Sequence, residues 1–79
     1  MRLDKYLKNS RLIKRRSIAK EACDNGRIEL NNAIAKAGSQ VKVGDVISVR
    51  LGQKFIKVRV TKLLDHVTKD EAENMYEYL

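Results

Sequence analysis

Apolar residues near the N-terminus recur at helical spacing. Leu3, Tyr6 and Leu7 occupy positions i, i+3 and i+4, which predicts a short amphipathic helix over residues 2–8. The basic side chains of this segment lie off the apolar stripe, and they are Arg2, Lys5 and Lys8. We therefore expect one face of the helix in the core and a cationic face toward solvent or a ligand.

A second helix is predicted over residues 15–25, with Ser17 as its N-cap or with Ser10 beginning a longer helix. Gly26 follows it, where a helix C-terminus favours a left-handed residue. The expected buried face consists of Ile18, Ala19, Ala22 and Cys23. Arg16 and Lys20 are four residues apart and share another side of the helix.

After Gly26 the pattern changes to alternation. Strands are predicted over residues 27–30, 33–35, 46–51 and 54–60. The dipeptides Asn31-Asn32 and Gly52-Gln53 suit tight turns between them, since asparagine and glycine tolerate positive φ. Phe55 is expected on the outward side of its strand, where it is free to stack on a base or on another protein.

The C-terminal segment predicts a third helix. Thr68 and Glu71 have capping-box spacing. The residues that follow at helical spacing are Ala72, Met75, Tyr76 and Leu79. The predicted fold is therefore α+β, a single domain over residues 1–79 with two N-terminal helices, a small, mostly antiparallel sheet and a C-terminal helix.

Charge is the strongest compositional signal. The chain of 79 residues carries a formal net charge of +7, and its pI is about 9.8. Residues 1–36 have a net charge of +6, residues 37–64 of +5 and residues 65–79 of −4. This imbalance favours an anionic partner, with nucleic acid the leading candidate.

Basic residues concentrate between the first two helices. Four fall within six positions, and they are Arg11, Lys14, Arg15 and Arg16. A guanidinium group can donate two hydrogen bonds to a pair of phosphate oxygens, so the cluster favours phosphate binding. The alternative is that these charges are solvated and only keep a small protein soluble. Few aromatic residues are available as stacking platforms, so a folded RNA fits better than a single strand.

Signals for catalysis are weak. Cys23 is the only cysteine and lies on a predicted core stripe, and His66 is the only histidine. No acidic residues have metal-ligand spacing, and no glycine-rich phosphate loop occurs. We therefore expect a protein that binds no metal or cofactor and is not an enzyme. The first residues do not resemble a signal peptide, and we expect a cytoplasmic protein with no membrane partner.

Over residues 2–50, several motifs resemble those of the S-four RNA-binding domain, also called the αL motif, and they occur in the same order as in that family. They are Arg2-Leu3-Asp4-Lys5-Tyr6-Leu7, Arg16-Ser17-x-Ala19-Lys20, Gly26-Arg27-Ile28, Asn31-Asn32, Lys36 and Val41-Lys42-x-Gly44-Asp45. In that family two helices and the adjoining hairpin contact structured RNA. Together with the basic cluster, the resemblance implies RNA contacts at Arg2, Lys5, Arg11, Arg15, Arg16, Lys20 and Lys36.

Later motifs look like the RqcP-type family of bacterial ribosome-associated quality-control proteins, and they are Val49–Lys54 and Glu71–Tyr76. That resemblance implies binding to large-subunit rRNA and peptidyl-tRNA, while an RqcH-type factor adds alanines to the stalled chain. Separately, we expect a monomer. Asn32 and Val43 depart from the turn glycine and the proline usual there, which questions local turn geometry.

Three alternatives remain open at this stage. One is a heat-shock-type ribosome-recycling factor or a regulator of another structured RNA, which would share the same basic surface. Another is a detached targeting domain of an RNA-modifying enzyme acting in trans. The third is a membrane-surface or acidic-protein binder, although the helical stripes are short and poor in large apolar groups.

Overall fold

The chain folds as three α-helices beside one five-stranded sheet, in a computed structural model that describes all 79 residues. The helices span Leu3–Asn9 (α1), Arg16–Asp24 (α2) and Lys69–Ala72 (α3). The strands span Ile28–Leu30 (β1), Ala33–Ile34 (β2), Val46–Leu51 (β3), Lys54–Val60 (β4) and Tyr76–Tyr78 (β5). Their order is β2-β1-β3-β4-β5 and every pair is antiparallel, which confirms the predicted α+β class.

One face of the sheet and the first two helices share a single core. The predicted apolar stripe of α1, made of Leu3, Tyr6 and Leu7, is fully buried. It belongs to the same cluster as alternating residues of β3 and β4, such as Ile47 and Val58, which pair across the two strands. The hydroxyl of Tyr6 also donates a buried hydrogen bond to the Met75 carbonyl, 2.7 Å away.

The turns follow the predicted chemistry. Asn31 and Asn32 have φ values of 53° and 70°, and they join β1 to β2. Gly26 ends α2 with φ 71° and Gly52 turns β3 into β4 with φ 59°. Asparagine and glycine adopt this left-handed region most readily, so the sequence at these three turns matches the backbone.

Two details of α2 differ from the prediction. The helix begins at Arg16 after an extended Arg15 without a side-chain cap, so neither Ser10 nor Ser17 caps it. Ile18 was expected in the core but is 45% exposed, whereas the smaller Ala19 is buried. The close approach of α2 to α1 admits small side chains at the contact and leaves the larger isoleucine at its margin.

The predicted C-terminal helix is much shorter than expected. The capping box of Thr68 and Glu71 is present, but α3 ends at Ala72 and a single 3-10 turn, Glu73–Met75, follows. Tyr76–Tyr78 then forms β5 against the edge of β4, and Leu79 is exposed. Pairing with β4 satisfies backbone groups that a continued helix would have left open, and the Tyr-Glu-Tyr alternation suits a strand.

The outer face of the sheet carries an exposed aromatic residue, Phe55. Phe55 points outward as predicted, and the Arg50 guanidinium lies 5.8 Å from its ring centroid. Arg59 and Glu77 form an ion pair of 3.3 Å on this face. None of the helices has the length and apolar character needed to cross a membrane.

Candidate nucleic-acid interface

A buried carboxylate joins two of the predicted RNA-binding arginines. Asp4 lies in the first turn of α1 and is only 3% exposed. It accepts hydrogen bonds from Nε and Nη2 of Arg2 at 3.2 and 3.4 Å, and from the same atoms of Arg16 at 3.3 and 3.5 Å. The backbone amide of Lys5 donates a further bond of 2.9 Å. We call Arg2, Asp4 and Arg16 the Asp4 cluster.

The Asp4 carboxyl remains ionised in this environment. Burial alone would raise its pKa, but the hydrogen bond from Arg16, the Lys5 amide and the charges of both arginines outweigh burial and lower the pKa below its usual value. A stably charged carboxylate holds both guanidinium groups through charge-assisted bonds. The cluster keeps a net charge of +1, since two cations surround one anion.

The two arginines are held on one side and open on the other. Each guanidinium has five N–H groups, and the bonds to Asp4 use one on Nε and one on Nη2. The remaining N–H groups are free of protein carboxylates, and both side chains are about half exposed. A pair of planar, fixed donors of this kind suits the oxygens of a phosphate group.

The chain around residues 36–40 fixes the position of the cluster. The Leu3 amide donates to the Ser39 carbonyl at 2.8 Å, and the Asp4 amide donates to the Ala37 carbonyl at 3.1 Å. Arg2 pairs with Gln40 in an isolated bridge. These contacts satisfy the open N–H groups at the start of α1 and anchor it to the segment that follows β2.

Three other predicted residues lie along or beside α2. Arg15 immediately precedes the helix, and Lys20 lies one turn beyond Arg16 on the same side; both are exposed. Lys36 lies farther along, in a concavity with Asp24 and Gly26 at the end of the helix. The basic residues Arg15, Arg16 and Lys20 therefore lie along the first half of α2, while Lys36 lies beside its acidic end at Asp24.

Lys5, another of the predicted RNA-binding residues, forms an exposed ion pair. Its ammonium group donates to Asp65 at 2.9 Å, in the segment between β4 and α3. The hydrogen bond and charge of Lys5 hold the pKa of the Asp65 carboxyl below its usual value. The structure thus directs the Lys5 charge toward an acidic neighbour and away from the two arginines.

Arg11 also lies apart from the Asp4 cluster. It lines a concavity of about 470 Å³ at the other end of α1, together with Lys8, Lys14 and Lys69. Sequence reasoning missed Lys69 because it belongs to the acidic C-terminal segment, 58 residues along the chain from Arg11. It placed Asp4 within the first S4-like motif and found no metal-ligand spacing for it, but it did not identify its contact with Arg16.

The lone thiol is a core group. Cys23 is buried, as predicted, and burial together with the nearby charges of Asp4 and Asp24 raises the pKa of its thiol to about 11. A thiol with a raised pKa carries little of the reactive thiolate at neutral pH.

Comparison with known proteins identifies the family of the chain. The S4 domain model matches residues 1–47, which is more than half of the chain. The chain belongs to the S4 domain family. The Asp4 cluster and the segment at residues 36–40 lie within the S4 domain match, while Asp65 and Lys69 lie beyond it.

Relatives resemble the chain over nearly its whole length. The "RQC P-site tRNA stabilizing factor" of Bacillus subtilis is 58% identical over 79 residues, covering 100% of this chain and 92% of that protein. The "Heat shock protein 15 homolog" of Haemophilus influenzae is 35% identical, covering 98% of this chain but 60% of that protein. The trimeric structure of Vibrio cholerae Heat Shock Protein 15 superposes with a TM-score of 0.93 at 30% identity, covering 100% of this chain and 81% of that one. The name of the Bacillus subtilis factor refers to tRNA, and together with the S4 domain match it agrees with an RNA-binding surface on this chain.

Proposed function

We propose that this S4 domain protein is a non-catalytic factor of ribosome quality control that binds the large ribosomal subunit. In this proposal it contacts rRNA and peptidyl-tRNA in the P site while a stalled nascent chain is extended. The observation that carries it is the Asp4 cluster, because two arginines fixed by a buried carboxylate form a prepared receptor for RNA phosphates. The full-length likeness to the P-site tRNA stabilizing factors supports the ribosomal setting.

The cluster favours RNA binding over a solvated charge run. An isolated surface arginine loses side-chain entropy when it meets a ligand, and that loss reduces affinity. Asp4 limits the motion of Arg2 and Arg16 before any ligand arrives. A charged surface that served only solubility would gain nothing from ordered arginines, whereas recognition of a folded RNA by shape requires fixed donors.

The proposed RNA-binding residues have graded roles. Arg2 and Arg16 make the central phosphate contacts, and Lys5 contributes mainly through its long-range charge because Asp65 holds its ammonium group. The full set remains the one expected from the sequence, namely Arg2, Lys5, Arg11, Arg15, Arg16, Lys20 and Lys36.

The proposed partners follow from the ribosomal setting. An RqcH-type tailing factor acts on the same subunit in this proposal, and the chain itself is a monomer. Both edge strands are very short, two residues in β2 and three in β5, and short edges are poor templates for pairing between sheets. Light scattering of the purified protein tests the monomer directly.

A heat-shock-type ribosome-recycling factor is the second candidate. The match to the Vibrio cholerae Heat Shock Protein 15 fold favours it. Against it, this chain is 35% identical to the heat-shock homologue but 58% identical to the Bacillus subtilis factor. The two candidates share the same basic surface, and the RNA that each binds would separate them.

The test compares binding of two arginine variants to purified large subunits. Arg16→Gln removes a cluster arginine, and the neutral side chain avoids the second carboxylate that glutamate would place against Asp4. Arg59→Gln is the matched control, because Arg59 has the same side-chain exposure of 48% and also pairs with one carboxylate, Glu77. Co-sedimentation is measured with empty subunits and with subunits that carry peptidyl-tRNA.

We expect the unsubstituted chain and Arg59→Gln to prefer subunits that carry peptidyl-tRNA, and we expect Arg16→Gln to lose most of this binding. Equal binding to both kinds of subunit would favour recognition of rRNA alone. If Arg16→Gln and Arg59→Gln bound equally well, the Asp4 cluster would have no part in RNA recognition. If the unsubstituted chain bound neither particle at physiological salt, the ribosomal proposal would fail.

A further inference from the structure

Arg11 has a backbone conformation that its side chain disfavours. Its φ is +62°, in the left-handed region, at the point where the chain leaves α1. Glycine is the usual residue at this place after a helix, because a Cβ atom strains the left-handed conformation. The backbone at Arg11 is therefore strained, and glycine in its place would relieve the strain. A function of the arginine side chain would explain why this residue is present despite the strain.

The concavity beside Arg11 collects cations from three parts of the chain. Lys8 comes from α1, Arg11 and Lys14 from the loop that follows, and Lys69 from α3. None of the four forms an ion pair in the structure, unlike Lys5 or the two arginines of the Asp4 cluster. Like charges gathered around one concavity repel one another, so a bound anion would stabilise this arrangement.

The concavity is separate from the Asp4 cluster. Arg2 precedes the first residue of α1, whereas the concavity includes Asn9, its last residue. At about 1.5 Å of rise per residue, these two ends lie roughly 10 Å apart along the helix axis. Along the chain, Arg15 joins Lys14 of the concavity to Arg16 of the cluster, so the two regions are neighbours that are lined by different side chains. The two cationic regions therefore present two distinct places for phosphate groups.

We propose that the Arg11 concavity is a second phosphate-binding site that takes a backbone segment of the bound RNA distinct from the one held by Arg2 and Arg16. This inference rests on the proposed function for its RNA. Arg11 projects over the concavity as the guanidinium donor, and Lys8, Lys14 and Lys69 surround the phosphate with charge. Two anchoring points at opposite ends of α1 fix the orientation of the domain on a folded RNA, which a single point cannot do.

The experiment measures affinity for large subunits carrying peptidyl-tRNA over a series of salt concentrations. Arg11→Gly removes the side chain and relieves the backbone strain, and Arg11→Gln removes the charge while keeping a side chain at the left-handed position. Lys54→Gln, at the exposed β3–β4 turn, is the control that lowers the net charge equally. Thermal unfolding of each variant accompanies the binding series.

Both Arg11 variants are expected to bind roughly tenfold more weakly and to lower the slope of log affinity against log salt by about one. Arg11→Gly should unfold at the same temperature as the unsubstituted chain or at a higher one, so that its loss of affinity has no structural origin. Because the two sites are separate, the affinity losses of Arg11→Gln and Arg16→Gln should multiply in the double variant.

Two results would overturn the inference. In the first, the unsubstituted chain binds the subunits and Arg11→Gln matches Lys54→Gln in affinity and slope; the proposed function would then stand without a second site. In the second, inorganic phosphate saturates the amide signals of Lys8 and Lys14 in an NMR titration while the subunit affinity of Arg11→Gln is unchanged. The concavity would then bind a free anion and not RNA. Failure of the unsubstituted chain to bind would refute the proposed function instead.

Discussion

The substitution Asp4→Asn separates the effect of ordered arginines from the effect of net charge. It removes the buried negative charge and leaves one acceptor oxygen for two guanidinium groups. The formal charge of the chain rises from +7 by one unit. An account based on charge alone predicts tighter RNA binding from this change. The cluster geometry predicts weaker binding, because Arg2 and Arg16 lose the group that orients them.

The magnitudes decide between these two effects. Each side chain that must be ordered on binding costs about 0.5–1.5 kcal/mol, so two released arginines cost roughly 1–3 kcal/mol, or about 5- to 150-fold in affinity. The opposing gain is smaller: one unit charge about 8 Å from a phosphate contributes about 2 kcal/mol at the effective dielectric constant of about 20 that applies near a protein surface, and screening at physiological salt reduces this to below about 1 kcal/mol. The loss of orientation therefore exceeds the gain in charge.

Stability should also fall moderately. Hydrogen bonds to charged groups contribute about 1.5–3 kcal/mol when well formed, but those from the arginines to Asp4 are long, at 3.2–3.5 Å, and half exposed. We expect Asp4→Asn to lower the free energy of unfolding by about 1–2 kcal/mol. Urea denaturation and co-sedimentation with large subunits measure the two quantities on the same sample. A folded Asp4→Asn variant that binds RNA as well as or better than the unsubstituted chain would refute the reasoning.

Two further predictions concern the core. Tyr6→Phe should lower the free energy of unfolding by about 1 kcal/mol through loss of the 2.7 Å bond to the Met75 carbonyl, which also accepts from the Thr61 amide; no change in chemical denaturation would argue against this bond. Cys23 should react slowly with a thiol reagent at neutral pH in the folded protein and faster once urea unfolds the chain, since its pKa of about 11 lies above the ordinary 9.0 and keeps the thiol protonated. Reaction at the same rate in both states would contradict the buried position.

Local sequence patterns predicted most of the first 60 residues. The apolar stripe of α1 and the alternation of apolar and polar residues in β3 and β4 arise because one side of each element is buried. The spacing of hydrophobic residues in the sequence therefore predicts these elements. The asparagine pair between β1 and β2 likewise reveals its turn, because few residues accept two successive positive φ values. Signals of this kind are contained within a single element, so they can be read without knowledge of its neighbours.

The C-terminal segment illustrates where local patterns fail. Met75, Tyr76 and Leu79 have helical spacing, but Tyr76 and Tyr78 also alternate as a strand does. The unpaired edge of β4 decides between the two, and its backbone groups pair with Tyr76–Tyr78. Such a choice depends on a strand 16 or more residues away, which no short window contains.

For the same reason, the sequence predicted some residues of the candidate site but not the contacts between them. The sequence indicated Arg2 and Arg16 individually through charge and family resemblance, but their common partner Asp4 is twelve residues from Arg16 and joins it only when α1 packs against α2. Lys69 reaches the Arg11 concavity from the opposite end of the chain. Contacts between distant elements define the geometry of the site, and spacing within one element does not encode them.

The most direct test of the central claim is a structure of the protein bound to a large ribosomal subunit carrying peptidyl-tRNA, determined by electron cryo-microscopy. We predict that Arg2 and Arg16 lie within hydrogen-bonding distance of RNA phosphates, still joined by Asp4, with the outer face of the sheet turned away from them. A complex in which RNA lies against the sheet around Phe55 and the Asp4 cluster faces solvent would contradict the account.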